Sequence, residues 1–231
     1  MAISVTVVPG GAAASGRSVE LEPAVVAIAG FTGRDQAAVA AHLAELAELG
    51  VPTPATTPCY YQAPAGVLTQ GDAVTVVRPD TSGEAECVLL VDGDDMYLTL
   101  GSDHTDRAAE AIDIPISKLL CPKPIATTAW RLDDVADRVG TFELRSWIAD
   151  GDGAEVLYQE GRVAEFMDLD QIVAGIPFTQ RPGTFVVFCG TLPALGGIRP
   201  AHRFRAELRD PSDGTAVSLA YTTVSAALLD L

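Results

Sequence analysis

A chain of 231 residues, 48% hydrophobic and 20% charged, has the length and composition of a soluble protein with one sizeable core. Its net charge of −16 repels phosphate backbones and anionic lipid, so nucleic acid and membrane surfaces are poor partners. Anionic small molecules are not excluded, because a bound cation or a lysine can invert that field locally.

The opening residues, MAISVTVVPGGAAASG, contain a strand-like run, Ile3–Val8, and then a Gly/Ala/Ser stretch. They lack the basic region and long apolar run of a signal peptide, and no segment approaches the ~20 apolar residues of a membrane helix. A short strand is expected near Val19–Leu21, and the continuous apolar run Ala24–Phe31 reads as a buried strand. Gly33–Gly50 is the clearest helix: Asp35 suits its N-cap, Ala and Leu fill it, and Gly50 with Pro52 stops it. A Pro/Thr-rich loop follows over Val51–Thr57, then strands at Pro58–Gln62 and Asp72–Val77.

From residue 83 onward, short strands alternate with Gly, Asp and Pro. They are expected at Glu86–Val91, Met96–Leu100, Phe142–Ala149, Glu155–Glu160, Thr184–Cys189, Phe204–Arg209 and Ala216–Val224. The DGDG at 150–153 reads as a hairpin turn. Ile114–Leu120 reads as a further strand, and short helices are expected at Leu132–Val139 and Asp168–Ala174. The pattern predicts a β-rich α+β protein, with N-terminal strands and a flexible segment over 1–23 and a single domain over 24–231. Cys59, Cys87, Cys121 and Cys189 are scattered without a C-x-x-C pair, which points to reduced thiols and a cytoplasmic location.

The chemistry concentrates in GEAECVLLVDGDDMYLTLGSDHTDR, residues 83–107. Glu84 and Glu86 stand two apart at the start of a strand, so they share a face. A Gly-Asp turn and a second strand return the chain to Asp103. Three carboxylates on one hairpin can therefore converge, and convergence is costly unless protons or a cation neutralise them. A hard divalent ion with oxygen ligands fits that need. The alternative is that both glutamates are solvent-side strand residues of an acidic protein.

The order of these pieces resembles the fumarylacetoacetate hydrolase family in its single-domain form. Glu84-Ala85-Glu86 matches that family's E-x-E strand, and Ser102–Arg107 (SDHTDR) its Asp-containing segment. Lys118 or Lys123 supplies its lysine. Gly190–Gly197 (GTLPALGG), preceded by Arg181-Pro-Gly-Thr184, is similar to its Gly-Thr loop, and His42-Leu-Ala-Glu45 has the spacing of its lid pair. Through GSDHTDR and CPKP the chain resembles, more narrowly, a bacterial family of unknown function with this fold. Four features depart from the pattern: Gly30–Gly33 replaces an Asn-Tyr before the lid, Gln62 replaces a lysine, the interval from Asp103 to Lys118 is short, and Leu192 intrudes in the loop.

The resemblance implies a mixed β-sandwich roll, a homodimer, and Mg²⁺ or Mn²⁺ held by Glu84, Glu86 and Asp103. It implies a small 2-oxo acid as substrate, and cleavage of a C–C bond in a β-diketo acid such as an acylpyruvate. Decarboxylation, isomerisation or dehydration of a 2-oxo acid would use the same metal, and a non-catalytic binding protein on this scaffold is the third reading. Lys118, favoured over Lys123, would bind the substrate or the departing carbanion, and His42 with Glu45 would activate water. His42 also shares a helical face with Val39, Leu43 and Leu46 and could be a packed side chain. Gly190 and Thr191 would hold a substrate carboxylate. Arg107 and Arg199 are candidate anion clamps, Arg107 being equally suited to neutralising the acidic cluster. His104 could orient a metal ligand or serve as a turn residue. Cys121 has no adjacent base and is not read as a nucleophile.

Overall fold

The computed structural model describes residues 1–8, 16–48 and 53–226. Among these, the strands form two main sheets. The larger has eight strands in the order Arg17–Leu21, Ile3–Val8, Thr128–Arg131, Asp95–Ser102, Ala85–Asp92, Thr184–Thr191, Val25–Gly30 and Cys59–Pro64. Its neighbours are antiparallel except for two parallel pairings, Ile3–Val8 with Thr128–Arg131 and Thr184–Thr191 with Val25–Gly30. The smaller has five strands: Val156–Arg162, Glu143–Ala149, Arg203–Arg209, Ala216–Ser225 and Ala73–Val76.

Strand alternation divides the interior into two cores. Ala85, Cys87, Leu89 and Val91 face the smaller sheet and pack among Leu144, Phe204, Leu208 and Tyr221. Val88 and Leu90 point the other way and join Val26, Ile28, Val186, Phe188 and Ile125. With both faces covered, the strand Ala85–Asp92 is buried everywhere but at Asp92. Two-sided burial is why it reads as a nearly unbroken apolar run. A short parallel pair, Lys123–Pro124 with Leu68–Thr69, lies beside the second core.

The central hairpin joins Ala85–Asp92 to Asp95–Ser102 in unbroken register from Ala85 opposite Ser102 to Asp92 opposite Asp95. Its two-residue turn starts at Gly93, whose φ of 59° is the positive value that a tight hairpin asks of glycine. The DGDG segment also closes a hairpin, between Glu143–Ala149 and Val156–Arg162, with Gly151 at φ 52°.

The helix Gln36–Glu48 starts where Asp35 accepts from the N–H groups of Ala37 and Ala38 at 3.0 Å each. Two expectations are corrected. Ile114–Leu120 is not a strand: Ile114–Leu119 is a helix, capped by Asp113, which accepts from Ile116 N at 2.9 Å. Pro115 stands in its first turn, where a missing N–H does no harm. The apolar Ile and Leu residues mimic a strand because the helix exposes Ile116 and Leu119 and turns Ser117 and Lys118 inward. Leu132–Val139 is not one helix but two separate 3₁₀ turns, Leu132–Asp134 and Val139–Thr141. The strand Thr128–Arg131 has no counterpart in the sequence reading; four residues are too few to show a period.

Candidate metal centre

Glu84 and Glu86 extend the row of Val88 and Leu90 past the end of the second core. Asp103 lies opposite Glu84, their backbones joined by Asp103 N donating to Glu84 O at 3.0 Å. The hairpin thus aims three carboxyl groups at one place, and one oxygen from each lies within 4.8 Å of the others. An octahedral Mg²⁺ with oxygens at ~2.1 Å needs donors roughly 3 to 4 Å apart, a spacing of the same order as the one found here. Glu86 and Asp103 are buried and Glu84 is half-buried.

Three cations surround these groups. Lys118 Nζ lies 2.7 Å from Asp103 Oδ2 and 3.0 Å from Glu84 Oε2, and its hydrogen bond to Thr105 Oγ1 is 3.1 Å. Lys123 Nζ lies 2.7 Å from Asp103 Oδ1 and donates to the His104 carbonyl at 2.6 Å. The helix Ile114–Leu119 delivers the first lysine and the short strand Lys123–Pro124 the second, so both candidates reach the same aspartate. Arg107 binds Glu84 at 3.2 Å and Glu110 at 2.6 Å, and its Nε donates to Ser82 Oγ at 2.6 Å. Glu110, which sequence reasoning missed, also lies 3.7 Å from Lys118; its only signal was its place three residues after Arg107 on a helix.

Burial and charge set the protonation. Burial, and then the charges of Asp103 and Glu84, push the Glu86 carboxyl well above the usual range, more than Lys118 and the Gly190 N–H can offset. Burial also opposes ionisation of Asp103, but Lys118 and Lys123 outweigh it and bring its pKa to about 2. At Glu84, Arg107 and Lys118 likewise overcome burial and hold the pKa below the ordinary value. Lys118 remains an ammonium: burial disfavours its charge, yet Asp103, Glu84 and Glu110 raise its pKa well above normal. Asp103 Oδ1 and Arg107 Nη2 are buried without a hydrogen bond of good geometry, although each faces an opposite charge. A cluster of four carboxyls and three cations, with one carboxyl driven toward its neutral form, has the donor set a hard divalent ion requires.

The Gly-Thr loop adjoins this cluster. Gly190 N donates to Glu86 Oε2 at 2.9 Å. The φ of Gly190 is 97°, and a Cβ there would run into the Thr32 hydroxyl, so only glycine fits. Thr191 Oγ1 donates to Ala85 O at 2.9 Å. Its hydroxyl proton is therefore directed at the ligand strand, and the substrate contact expected of it would need that bond to exchange. Gln159, also missed, donates to Thr191 Oγ1 at 2.7 Å. Arg199 donates to Leu195 O and Gly197 O and lies over the Tyr158 ring, so it braces the loop.

His104 does not reach the carboxylates. Its ring hydrogen-bonds the Tyr221 hydroxyl and Thr81 Oγ1 at 2.9 and 2.8 Å. Burial, and then Lys123 and Arg107, hold its pKa down to about 3, so it is a neutral core residue. Cys121 is buried and its thiol pKa is raised to about 11 by burial, in keeping with an unreactive role. All four cysteines are free thiols. The backbone of His42 and Glu45 lies in the helix Gln36–Glu48, but their side chains fall outside the described residues. Among the described residues no helix is long and apolar enough to cross a membrane.

The fold is that of the fumarylacetoacetate hydrolase-like proteins. A solved 2-keto-3-deoxyarabinonate dehydratase superposes with a TM-score of 0.63 at 14% identity, covering 93% of this chain and 78% of that one. Cg1458, solved with an inhibitor, gives 0.60 at 17% identity, covering 92% and 81%. The 4-oxalocrotonate decarboxylase of Pseudomonas putida G7, complexed with calcium and acetate, gives 0.51 at 14% identity, covering 86% and 76%. Over residues 29–221 the sequence matches the family described as protein of unknown function (DUF2848), and the chain belongs to that family. Comparison with curated protein sequences finds no match.

Proposed function

We propose that this protein is a divalent-metal-dependent enzyme of small 2-oxo acids, hydrolysing a C–C bond in a β-diketo acid of the acylpyruvate type. The observation that carries the reading is the meeting of Glu84, Glu86 and Asp103 within one cage of cations. All-carboxylate ligation suits Mg²⁺ or Mn²⁺. Such an ion, when bound, supplies Lewis acidity to the ketone of a 2-oxo acid. With Glu86 ionised and a divalent ion present, the cluster carries about one net positive charge by simple count, which favours an anionic ligand.

The chain's own groups complete the chemistry. Lys118, held as an ammonium, stands where it can meet the negative charge of an enolate leaving fragment. Lys123 fixes Asp103 from the far side, and Arg107 orients Glu84. Gly190 holds Glu86 through its N–H, and Thr191 follows it at the end of the neighbouring strand, opposite Glu86. His42, oriented by Glu45, is the base assigned to water. A second reading, dehydration or decarboxylation of a 2-oxo acid, needs the same enolate stabilisation without a water base. It draws support from the activities named for two structural neighbours, and fold alone does not choose between reactions. A homodimer in the cytoplasm is part of the proposal.

Substitution of His42 by Ala separates the two readings. Hydrolysis of an acylpyruvate is expected to fall by at least ~100-fold, with oxalate affinity of the Mn²⁺-loaded protein unchanged. Turnover that survived the substitution would remove the lid pair from the mechanism. A wild type that binds oxalate and metal but turns over no 2-oxo acid would be a binding protein.

A further inference from the structure

Gln159 lies inside the strand Val156–Arg162, 1% exposed, and every hydrogen-bonding position of its side-chain amide is filled. Its Oε1 accepts from Ala85 N at 2.9 Å and from Ser146 Oγ at 2.8 Å. Its Nε2 donates to Leu192 O and to Thr191 Oγ1, both at 2.7 Å. A backbone N–H only donates and a carbonyl only accepts, so these partners fix which way the amide points.

One segment it joins carries two of the candidate ligands, and the other grips one of them. Ala85 separates Glu84 from Glu86. Thr191 follows Gly190, whose N–H grips Glu86 Oε2. Because Thr191 Oγ1 accepts from Gln159, its own proton turns to Ala85 O. A closed ring results: Gln159 to Ala85, Ala85 to Thr191, Thr191 back to Gln159, with Gly190 carrying the ring to Glu86. A buried, fully satisfied network of this kind permits one arrangement and penalises others. Outer hydrogen bonds of this sort orient ligating carboxylates.

We infer that Gln159 is a positioning residue of the metal centre: through Thr191 and Gly190, at the end of their strand, it holds the Glu86 carboxylate in its ligating orientation. The inference rests on the metal reading above. Gln159 itself touches no ligand.

Gln159→Met keeps the length of the side chain and removes both ends of the bridge. In the folded variant, Mn²⁺ affinity read from the EPR signal of free Mn²⁺ should fall about tenfold. Thr191→Val should give a similar loss, and the double variant should lose no more than about threefold beyond the worse single one. A loss below about threefold in folded Gln159→Met overturns the inference, as do additive losses, which would put its effect outside the ring. Should Gln159→Met fail to fold, wild-type protein labelled with ¹⁵N-glutamine decides the matter. The Gln159 side-chain amide resonance should shift on Mg²⁺ addition, and a resonance unmoved while Mg²⁺ binds refutes the role. Wild type that binds neither ion sinks the metal reading and this inference together, a failure set apart by appearing before any substitution is made.

Discussion

Glu86 meets opposing demands at a single carboxyl group. Burial and two neighbouring carboxylates favour its proton, while Gly190 N–H and Lys118 favour its charge. The proposed divalent ion would shift that balance toward the charged form, which would tie ligand chemistry to local packing. The glutamate was legible because i and i+2 on a strand must share a face. The glycine was legible as a close-approach residue, though not the reason, since the Thr32 hydroxyl that demands it comes from 158 positions away in the chain. Gln159 was not legible: a buried amide is recognisable only by partners that tertiary structure supplies. Elsewhere, Asp210 shows how a carboxylate stabilises the fold without a cation site. It is fully buried, accepts from Ser212 N, Ser212 Oγ and Arg138 Nε, and these bonds outweigh burial to lower its pKa. A lowered folded pKa gives stability that is present above the unfolded value of ~3.9 and is lost as pH falls through the folded value. Asp210→Asn should therefore cost about 1–3 kcal/mol in urea unfolding at pH 7, and the difference from wild type should shrink below about pH 4. A difference constant across that range would mean that charge is not its source.

Elements differ in how openly their sequences declare them. The central hairpin carries period-two carboxylates, an apolar run and a turn glycine, and all three signals agree. The helix Ile114–Leu119 carries conflicting ones. Its exposed Ile116 and Leu119 suggest a strand, whereas Asp113 and Pro115 form a helix start. The conflict matters because this helix aims Lys118 at Asp103 and Glu84. Removing the cap by Asp113→Ala should cost about 1 kcal/mol and lower the melting temperature by roughly 2–4 °C. An unchanged melting curve would show that packing against the strand Cys59–Pro64, not the cap, sets the helix in place.

At the scale of the whole molecule, the acidic charge repels anions, and the three basic side chains at the carboxylate cluster are the local exception that the proposed divalent ion would reinforce. Two sheets enclose one core, and the second core leaves the end of its face to charged groups, so the carboxylates are buried by the architecture that surrounds the central hairpin. The strand order and the crossovers that achieve this could not be read from periodicity, which sets the face of each residue but not the neighbour of each strand. Thermal unfolding with Mn²⁺ and oxalate, on wild type and Glu86→Ala, tests the central claim most directly. At about 100 times the dissociation constant a ligand adds about 2.7 kcal/mol, or roughly 5–10 °C for a chain of this size. The account predicts that rise for wild type and none for Glu86→Ala; equal shifts in both proteins, or no shift in wild type, would contradict it.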